Sequence, residues 1–310
     1  MIFKQSEKIS NAIKSLSEYD LLKGLCHEQA ETSSMPSSKV LIEIVELCRS
    51  ILFPGYFGNA SVNRSNISYH IGINVEKLHH LLSHQILSGL CFDLHVNAQE
   101  SADCEQLPQN RKEMGLLKDK SISISCDFIE SLPQLRDLLA TDVEACYNGD
   151  PAADSKEVVI FCYPGIKAIS SYRIAHRLLE LEVPIIPRMI TEMAHSETGI
   201  DIHPGATIGS HFAIDHGTGV VIGATAILGN NVKLYQGVTL GAKSFPMDQD
   251  GHPIKGVPRH PVLGNNVVVY SNATILGRIT IGDNATIGGN IWVTEDVAPN
   301  SRIIQSKAKE

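Results

Sequence analysis

Aromatic side chains are scarce in this 310-residue chain, at 5% of the whole with a single tryptophan. Long apolar runs are missing too. No stretch approaches the roughly eighteen consecutive apolar residues of a membrane span, and the start, MIFKQSEKIS, holds no apolar signal region. A cytoplasmic location is therefore expected. No block of like charges occurs and the net charge is -8, which argues against nucleic acid or an anionic membrane as partner. Cysteine is absent after Cys162, and the seven that exist (Cys26, Cys48, Cys91, Cys104, Cys126, Cys146, Cys162) are scattered, with no CxxC. Disulfide frameworks and zinc clusters need regular spacing, so these read as reduced, mostly buried thiols. What is present is apolar enough, at 43% hydrophobic residues, to build real cores and to exclude disorder.

Composition divides the chain near Ser196. Sixteen of the 24 glycines follow that point, and none of the cysteines. We therefore read two domains: residues 1–195, α-helical, and residues 196–310, built on another period. In Val40–Phe53 apolar residues recur at Leu41, Ile44, Val45, Cys48, Ile51 and Leu52, the spacing of one helical face. A second helix is expected over Val75–Leu87 with Asn74 as its cap, a third from Pro133 to Asn148-Gly149, and a fourth from Pro164 to a point before Pro184. The polar segment Asn97–Ser121 lacks periodicity and reads as a surface loop.

After residue 196 aliphatic residues return every six positions: Ile202, Ile208, Ile214; Ile222, Leu228, Leu234, Leu240; Leu263, Val269, Ile275, Ile281, Ile287, Val293. Six is neither the helical period nor simple alternation. Each hexad must be a short strand plus a turn, and three hexads close a triangular coil whose aliphatics stack on those of the next, as Leu263 on Ile281. The expected fold is α + β: a helical domain followed by a left-handed parallel β-helix of hexapeptide repeats.

The register breaks twice. Between Ile214 and Ile222 lies Asp215-His216-Gly217-Thr218-Gly219, and between Leu240 and Leu263 an extended loop, 241–262, that ends in Pro258-Arg259-His260-Pro261. Both breaks carry a histidine, and breaks in a solenoid become loops on one face. Asp201 precedes His216 by close to one coil length, so it is placed to accept the imidazole N–H and leave the other nitrogen free as a base. Arg259 adds a cation able to hold a carboxylate in two parallel bonds. His80 and His84, one helical turn apart, read as helix surface rather than as a metal pair.

Four motifs, GDPAAD (149–154), DIHPGATIG (201–209), IDHGTGVVIG (214–223) with YQGVTLG (235–241), and RHPVLG (259–264), resemble the serine O-acetyltransferase family, which makes O-acetylserine in the first step of cysteine biosynthesis. GDPAAD is the most telling, because generic hexapeptide acyltransferases lack a helical domain that ends in Asp-Pro-Ala. The resemblance implies His216 as catalytic base, Asp201 as the carboxylate that orients it, Asp150 and Asp215 at the ammonium and hydroxyl end of serine, and Arg259 with His260 at its carboxylate, His260 also counted with the catalytic set. It implies acetyl-CoA as co-substrate along Gly241, Ala242, Ser271 and Gly289, with no permanent cofactor and no metal. L-cysteine is implied as a feedback inhibitor. A stack of coils has flat faces, so a pocket must lie between chains. That argues for a homotrimer, and the resemblance implies that the helical half, which also supplies Asp150, pairs two trimers into a hexamer. The loop Ala242–Val257 is longer than in common bacterial members, and the tail ending in Ile that docks into O-acetylserine sulfhydrylase is lacking, so a stable complex with that enzyme is not expected.

Three other readings stay open. One is a hexapeptide acyltransferase for a sugar or amino sugar, which keeps His216 but does not require Asp150 and Arg259. Another is a γ-type zinc carbonic anhydrase using His211 and His216, although His203 and His195 are badly spaced for its third ligand. The last is a non-catalytic scaffold, which gives no reason for these residues to gather at register breaks.

Overall fold

A computed structural model describes residues 2–18, 35–58, 61–101 and 111–305. Helix α1 (Ile2–Ser17) belongs to one compact unit, Met1–Met35, and everything from Pro36 on to a second. On α1 the apolar Ile9, Ile13 and Leu16 share a face and are exposed.

In the second unit the helices are α2 (Ser38–Leu52), α3 (Ile67–Ser101), α4 (Arg111–Glu130), α5 (Leu132–Gly149), α6 (Lys156–Cys162), α7 (Pro164–Glu180) and α8 (Ile186–Thr198). The expected inner faces are the buried ones: Leu41, Ile44, Cys48, Ile51 and Leu52 on α2, and Leu135, Leu139, Val143 and Cys146 on α5. Proline opens α5 and α7 at the first or second position, where its missing N–H has no intrahelical partner to lose. Three expectations are corrected. Asn74 is not a cap, because α3 begins seven residues before it, where Asn63 and Asn66 form the turn that starts the helix. The segment 97–121 is no loop: residues 97–101 finish α3 and 111–121 open α4, whose Ser121 is buried with its hydroxyl on the Lys118 carbonyl, while 102–110 lie outside the described residues. The thiols are mixed: Cys48, Cys91 and Cys146 are buried but Cys126 and Cys162 are exposed, none of the five in a disulfide, with Cys26 and Cys104 outside the described residues. Burial pushes the Cys48 and Cys146 thiols up to about 12. No described helix is long and apolar enough to cross a membrane.

From Asp201 the chain winds as a left-handed parallel β-helix. Its strands are β1 (Asp201–Ile202), β2 (Thr207–Ile208), β3 (Ala213–Asp215), β4 (Val221–Ile222), β5 (Ile227–Leu228), β6 (Lys233–Tyr235), β7 (Thr239–Gly241), β8 (Val262–Leu263), β9 (Val268–Val269), β10 (Thr274–Leu276), β11 (Thr280–Ile281), β12 (Thr286–Ile287), β13 (Trp292–Val293) and β14 (Arg302–Ile303). They form three parallel sheets in the orders β1-β4-β7-β10-β13, β2-β5-β8-β11 and β3-β6-β9-β12-β14. We call these faces A, B and C. Every aliphatic of the hexads points inward and is buried, and Leu263 pairs with Ile281. At the corner from B to C, Asn231, Asn266, Asn284 and Asn300 take left-handed backbone angles. Each of the first three donates its side-chain amide to the next at 2.9–3.0 Å, which offsets the roughly 1–2 kcal/mol that this conformation costs a residue with a Cβ.

Helices and coils are stapled by buried polar contacts. Arg173 of α7 forks onto Asp142 of α5 with two bonds of 3.1 Å and donates to the carbonyls of Ile208 and Gly209 at 2.6 Å. Asp142 also accepts from the Phe212 backbone N–H at 2.9 Å. The first coil is thus fixed to the helices that carry Asp150. The loop between β7 and β8 folds back on itself, with Met247 bridging Pro253 and the Asp248 N–H bonded to the His252 carbonyl at 2.9 Å.

Candidate active site

Helix α5 runs out at Gly149, and Asp150 follows in extended conformation. Its carboxylate accepts from the Tyr163 hydroxyl at 2.6 Å and the Ala152 N–H at 2.8 Å. The Tyr163 bond first, then the Ala152 bond, holds Asp150 below the usual carboxylate range, and the same carboxylate pushes the Tyr163 phenol up to about 12. Asp215 ends β3 beside it. Lys233 of β6 lies between the two, 3.0 Å from Asp215 Oδ2 and donating to the Gly149 carbonyl at 2.6 Å. Tyr163 and Lys233 carry no motif and escaped the sequence reading; each is distant in sequence from the carboxylate it supports.

His216 follows at the corner from C to A. Its side chain is 74% exposed and its Nε2 lies 3.8 Å from Asp215 Oδ1. Its φ of +58° is left-handed, an uncommon state for histidine. Gly217 next to it is required in its own right: a Cβ there would run into the Ile200 side chain, and its φ is +94°. The gap among Asp150, Tyr163, Asp215 and Lys233 is about 10 Å³, room for one water at most and not for an amino acid. A substrate must therefore lie outside them, against His216.

The other group sits at the next corner, from A to B. His260 is 7% exposed. The Thr225 backbone N–H donates to its Nδ1 at 3.1 Å, and the Thr225 hydroxyl is 2.9 Å away. An N–H can only donate, so Nδ1 carries the lone pair and Nε2 the proton. Burial, then the charge of Arg259, lowers its pKa to about 4, so near neutrality His260 is a neutral donor. The ring fills space left by Gly223, where a Cβ would fall onto it. Arg259 donates its backbone N–H to the Thr225 hydroxyl at 2.9 Å, and its guanidinium lies 5.8 Å from the Phe245 ring centre. Arg278 ties the corner by donating to the carbonyls of Thr225 at 2.7 Å and His260 at 3.1 Å.

Asp201 lies on face A, one coil from Val221, but the chain does not bring it to His216. Its ion pair is with Arg188 of α8, at 3.8 Å. Arg188 also pairs with Glu192. Glu192, His195 and Asp201 form the one group of three metal-capable side chains among the described residues, and the Arg188 guanidinium already supplies their positive charge. His211 and His216 sit at opposite ends of β3, His211 bonded through its backbone N–H to Thr141. His80 and His84 stack edge to face at 4.8 Å on α3.

The residues named for coenzyme A split in the same way. Gly241 and Ala242 leave face A toward B, with the Gly241 carbonyl accepting from Gly277 at 3.0 Å. Ser271 and Gly289 meet at the corner from C to A, where Ser271 accepts from the Asn290 N–H at 2.9 Å and a Cβ on Gly289 would lie 3.1 Å from the Ser271 carbonyl. Asp150, Asp215, His216, Ser271 and Gly289 thus border one edge of face A, and Arg259, His260, Gly241 and Ala242 the other. The extended run from Val220 to Gly223 that separates the two corners alone spans on the order of 10 Å at ~3.3 Å per residue, longer than a serine molecule.

Residues 260–290 match the family model described as bacterial transferase hexapeptide (six repeats). The plasmid serine acetyltransferase of Synechococcus elongatus is 46% identical over 275 residues, which cover 89% of this chain and 83% of that protein. Serine acetyltransferase 1 of Entamoeba histolytica, solved in complex with L-cysteine, superposes with a TM-score of 0.69 at 33% identity, covering 90% of this chain and 91% of that one. The soybean serine acetyltransferase complexed with serine gives a TM-score of 0.53 at 28% identity, covering 88% and 99%.

Proposed function

The chain belongs to the serine acetyltransferase family, and from that membership we propose that two copies of it together move the acetyl group of acetyl-CoA to the hydroxyl of L-serine. One observation carries the reading. Asp150 and Asp215 lie at one edge of face A and Arg259 and His260 at the other, each pair anchored by hydrogen bonds, which suits the acidic and basic halves of a zwitterion site shared between copies.

A cyclic trimer would set the His216 edge of one copy against the Arg259 edge of the next, a repeating head-to-tail contact. The serine ammonium then lies toward Asp150 and Asp215. Tyr163 and the Ala152 N–H keep Asp150 ionised, and Lys233 ties Asp215 to the end of α5. The serine carboxylate meets the Arg259 fork and the Nε2–H of His260, whose neutrality avoids a second full charge. His216 takes the proton from the serine hydroxyl as its oxygen attacks the thioester carbon. When the tetrahedral intermediate collapses, the C–S bond breaks, and the imidazolium returns the proton to the departing thiolate. Serine is a poor nucleophile at neutral pH while a thioester is already activated, so one base plus alignment suffices. Asp201 orients His216 in this scheme, which requires it to turn from Arg188. Coenzyme A runs between copies, past Gly241 and Ala242 of one and Ser271 and Gly289 of the other. L-cysteine, nearly isosteric with serine, competes for the same place.

In this reading residues 1–195 supply Asp150 and the contacts between copies, and 196–310 the acyl-transfer site. The test is thiol release from acetyl-CoA, followed with DTNB on chelator-treated protein, with and without L-serine. Release that requires serine supports the assignment. Release with an amino sugar and none with serine would transfer the acceptor to the runner-up.

A further inference from the structure

A second cavity of about 870 Å³ opens between α2 and α3, within the range of small-molecule sites and apart from either edge of face A. Its wall holds Arg49. This side chain is 9% exposed, yet among the described residues no carboxylate lies within 4 Å of it and no group accepts a bond from it; its buried Nε has no partner. The Phe57 ring lies under it, 4.0 Å from the guanidinium carbon. A desolvated cation–π contact recovers ~2 kcal/mol or more, but it supplies none of the hydrogen-bonded counter-charge that a buried ion needs. Burial accordingly holds Arg49 below its ordinary pKa, with Glu197 and Glu46 as the nearest opposing charges.

The rest of the cavity narrows the complement. Ser50, His70 and Asn74 are joined by contacts of 3.1–3.3 Å and present a polar floor beside Arg49. Glu43 and Lys77, both at the rim, neutralise each other at 2.6 Å. Glu46, one turn before Arg49 on α2, lines the same cavity and is exposed. With one buried fork for a carboxylate, one acidic group on the same wall and the Phe57 ring lining the same space, a dianionic phosphate is disfavoured and a zwitterion is matched.

We propose that the cavity between α2 and α3 binds a free α-amino acid with an apolar side chain, its carboxylate on Arg49, its ammonium toward Glu46 and its side chain against Phe57. This amino-acid site is separate from the one that takes serine.

Each of the twenty L-amino acids would be tested by thermal shift and equilibrium dialysis on the full chain, on Arg49→Met, on Glu46→Gln and on Arg259→Ala. The strongest responder would then be compared with its amide and its decarboxylated amine, and with sulfate. The expected result is an apolar amino acid that stabilises the parent and Arg259→Ala alike, and binds Arg49→Met about 10- to 100-fold more weakly, the loss of one charged hydrogen-bonding group. Its amide and amine should fail. Glu46→Gln alters an exposed side chain and so keeps the test valid if Arg49→Met misfolds; it should weaken the zwitterion and spare its N-acetyl derivative. The proposal is overturned if no amino acid binds in an Arg49- or Glu46-dependent way, if Arg259→Ala abolishes the shift, or if sulfate reproduces it.

Discussion

Two crippled variants, made together, should rescue each other. His216→Ala removes the base at one edge of face A, and Arg259→Ala removes the fork at the other. Alone, His216→Ala should lose the ~10²–10⁴-fold that a general base contributes, and Arg259→Ala should fail at modest serine through a raised KM. In a trimer holding both kinds of chain, each site needs His216 from one copy and Arg259 from its neighbour. Going round a ring of two copies of one variant and one of the other, that pairing occurs once in three contacts, so about one third of the sites are whole. Chains carrying two different tags would be coexpressed and purified through both, with mixed trimers verified by native mass spectrometry. Serine-dependent thiol release at about one third of the parental kcat, with parental KM for serine, is expected. Activity no higher than the mean of the two single variants in verified mixed trimers would refute the divided site, because a site built within one chain gains nothing from mixing.

Three further outcomes follow from the geometry. Tyr163→Phe removes the hydrogen bond that does most to hold Asp150 down, so the acid limb of kcat/KM for serine should move to higher pH; superposable profiles would contradict it. Gly223→Ala pushes the His260 ring off its Thr225 partner and should lower kcat/KM for serine about 10- to 100-fold while sparing the KM for acetyl-CoA. His260, at about 4 in the fold against an ordinary value near 6.5, binds fewer protons folded than unfolded between those limits. Its contribution to stability is therefore complete above about pH 6.5 and is lost as pH falls toward about 4. His260→Gln should flatten the melting temperature over that window, and an unchanged slope would remove the argument.

The coils were legible because six-residue spacing has one geometric meaning, and every sixth-position aliphatic from Ile202 to Val293 is buried as that meaning requires. The helices were legible only where a clean stripe met a cap. Helix α4 carries Ser121 and Ser125 on its buried side, which interrupts the apolar stripe, and α6 is two turns long. Helix α3 begins before Asn74 because a polar residue inside a helix reads like a cap until tertiary contacts are known; here Asn74 bonds Ser50 and His70 instead. Within the candidate site, motif positions could be named from sequence, but their supports could not. Tyr163, Lys233 and Thr225 act through hydrogen bonds that join segments 13 to 84 residues apart, and no local pattern encodes such pairs. Nor did spacing reveal that Asp201 turns toward Arg188, since α8 packs there only in three dimensions.

The fork of Arg173 on Asp142, with its reach to Ile208, Gly209 and Phe212, has a consequence in time as well as in space. A stack of coils has no natural first layer, and an open edge of short parallel strands is slow to form and prone to pair with strangers. Here the helices leave the ribosome first, and they hold a ready-made template for the opening turn of the prism. Each later coil then lays down on a finished one, so assembly has a direction that coincides with synthesis. Loss of Arg173 should therefore harm newly made chains more than chains already folded, a difference that separates yield from stability.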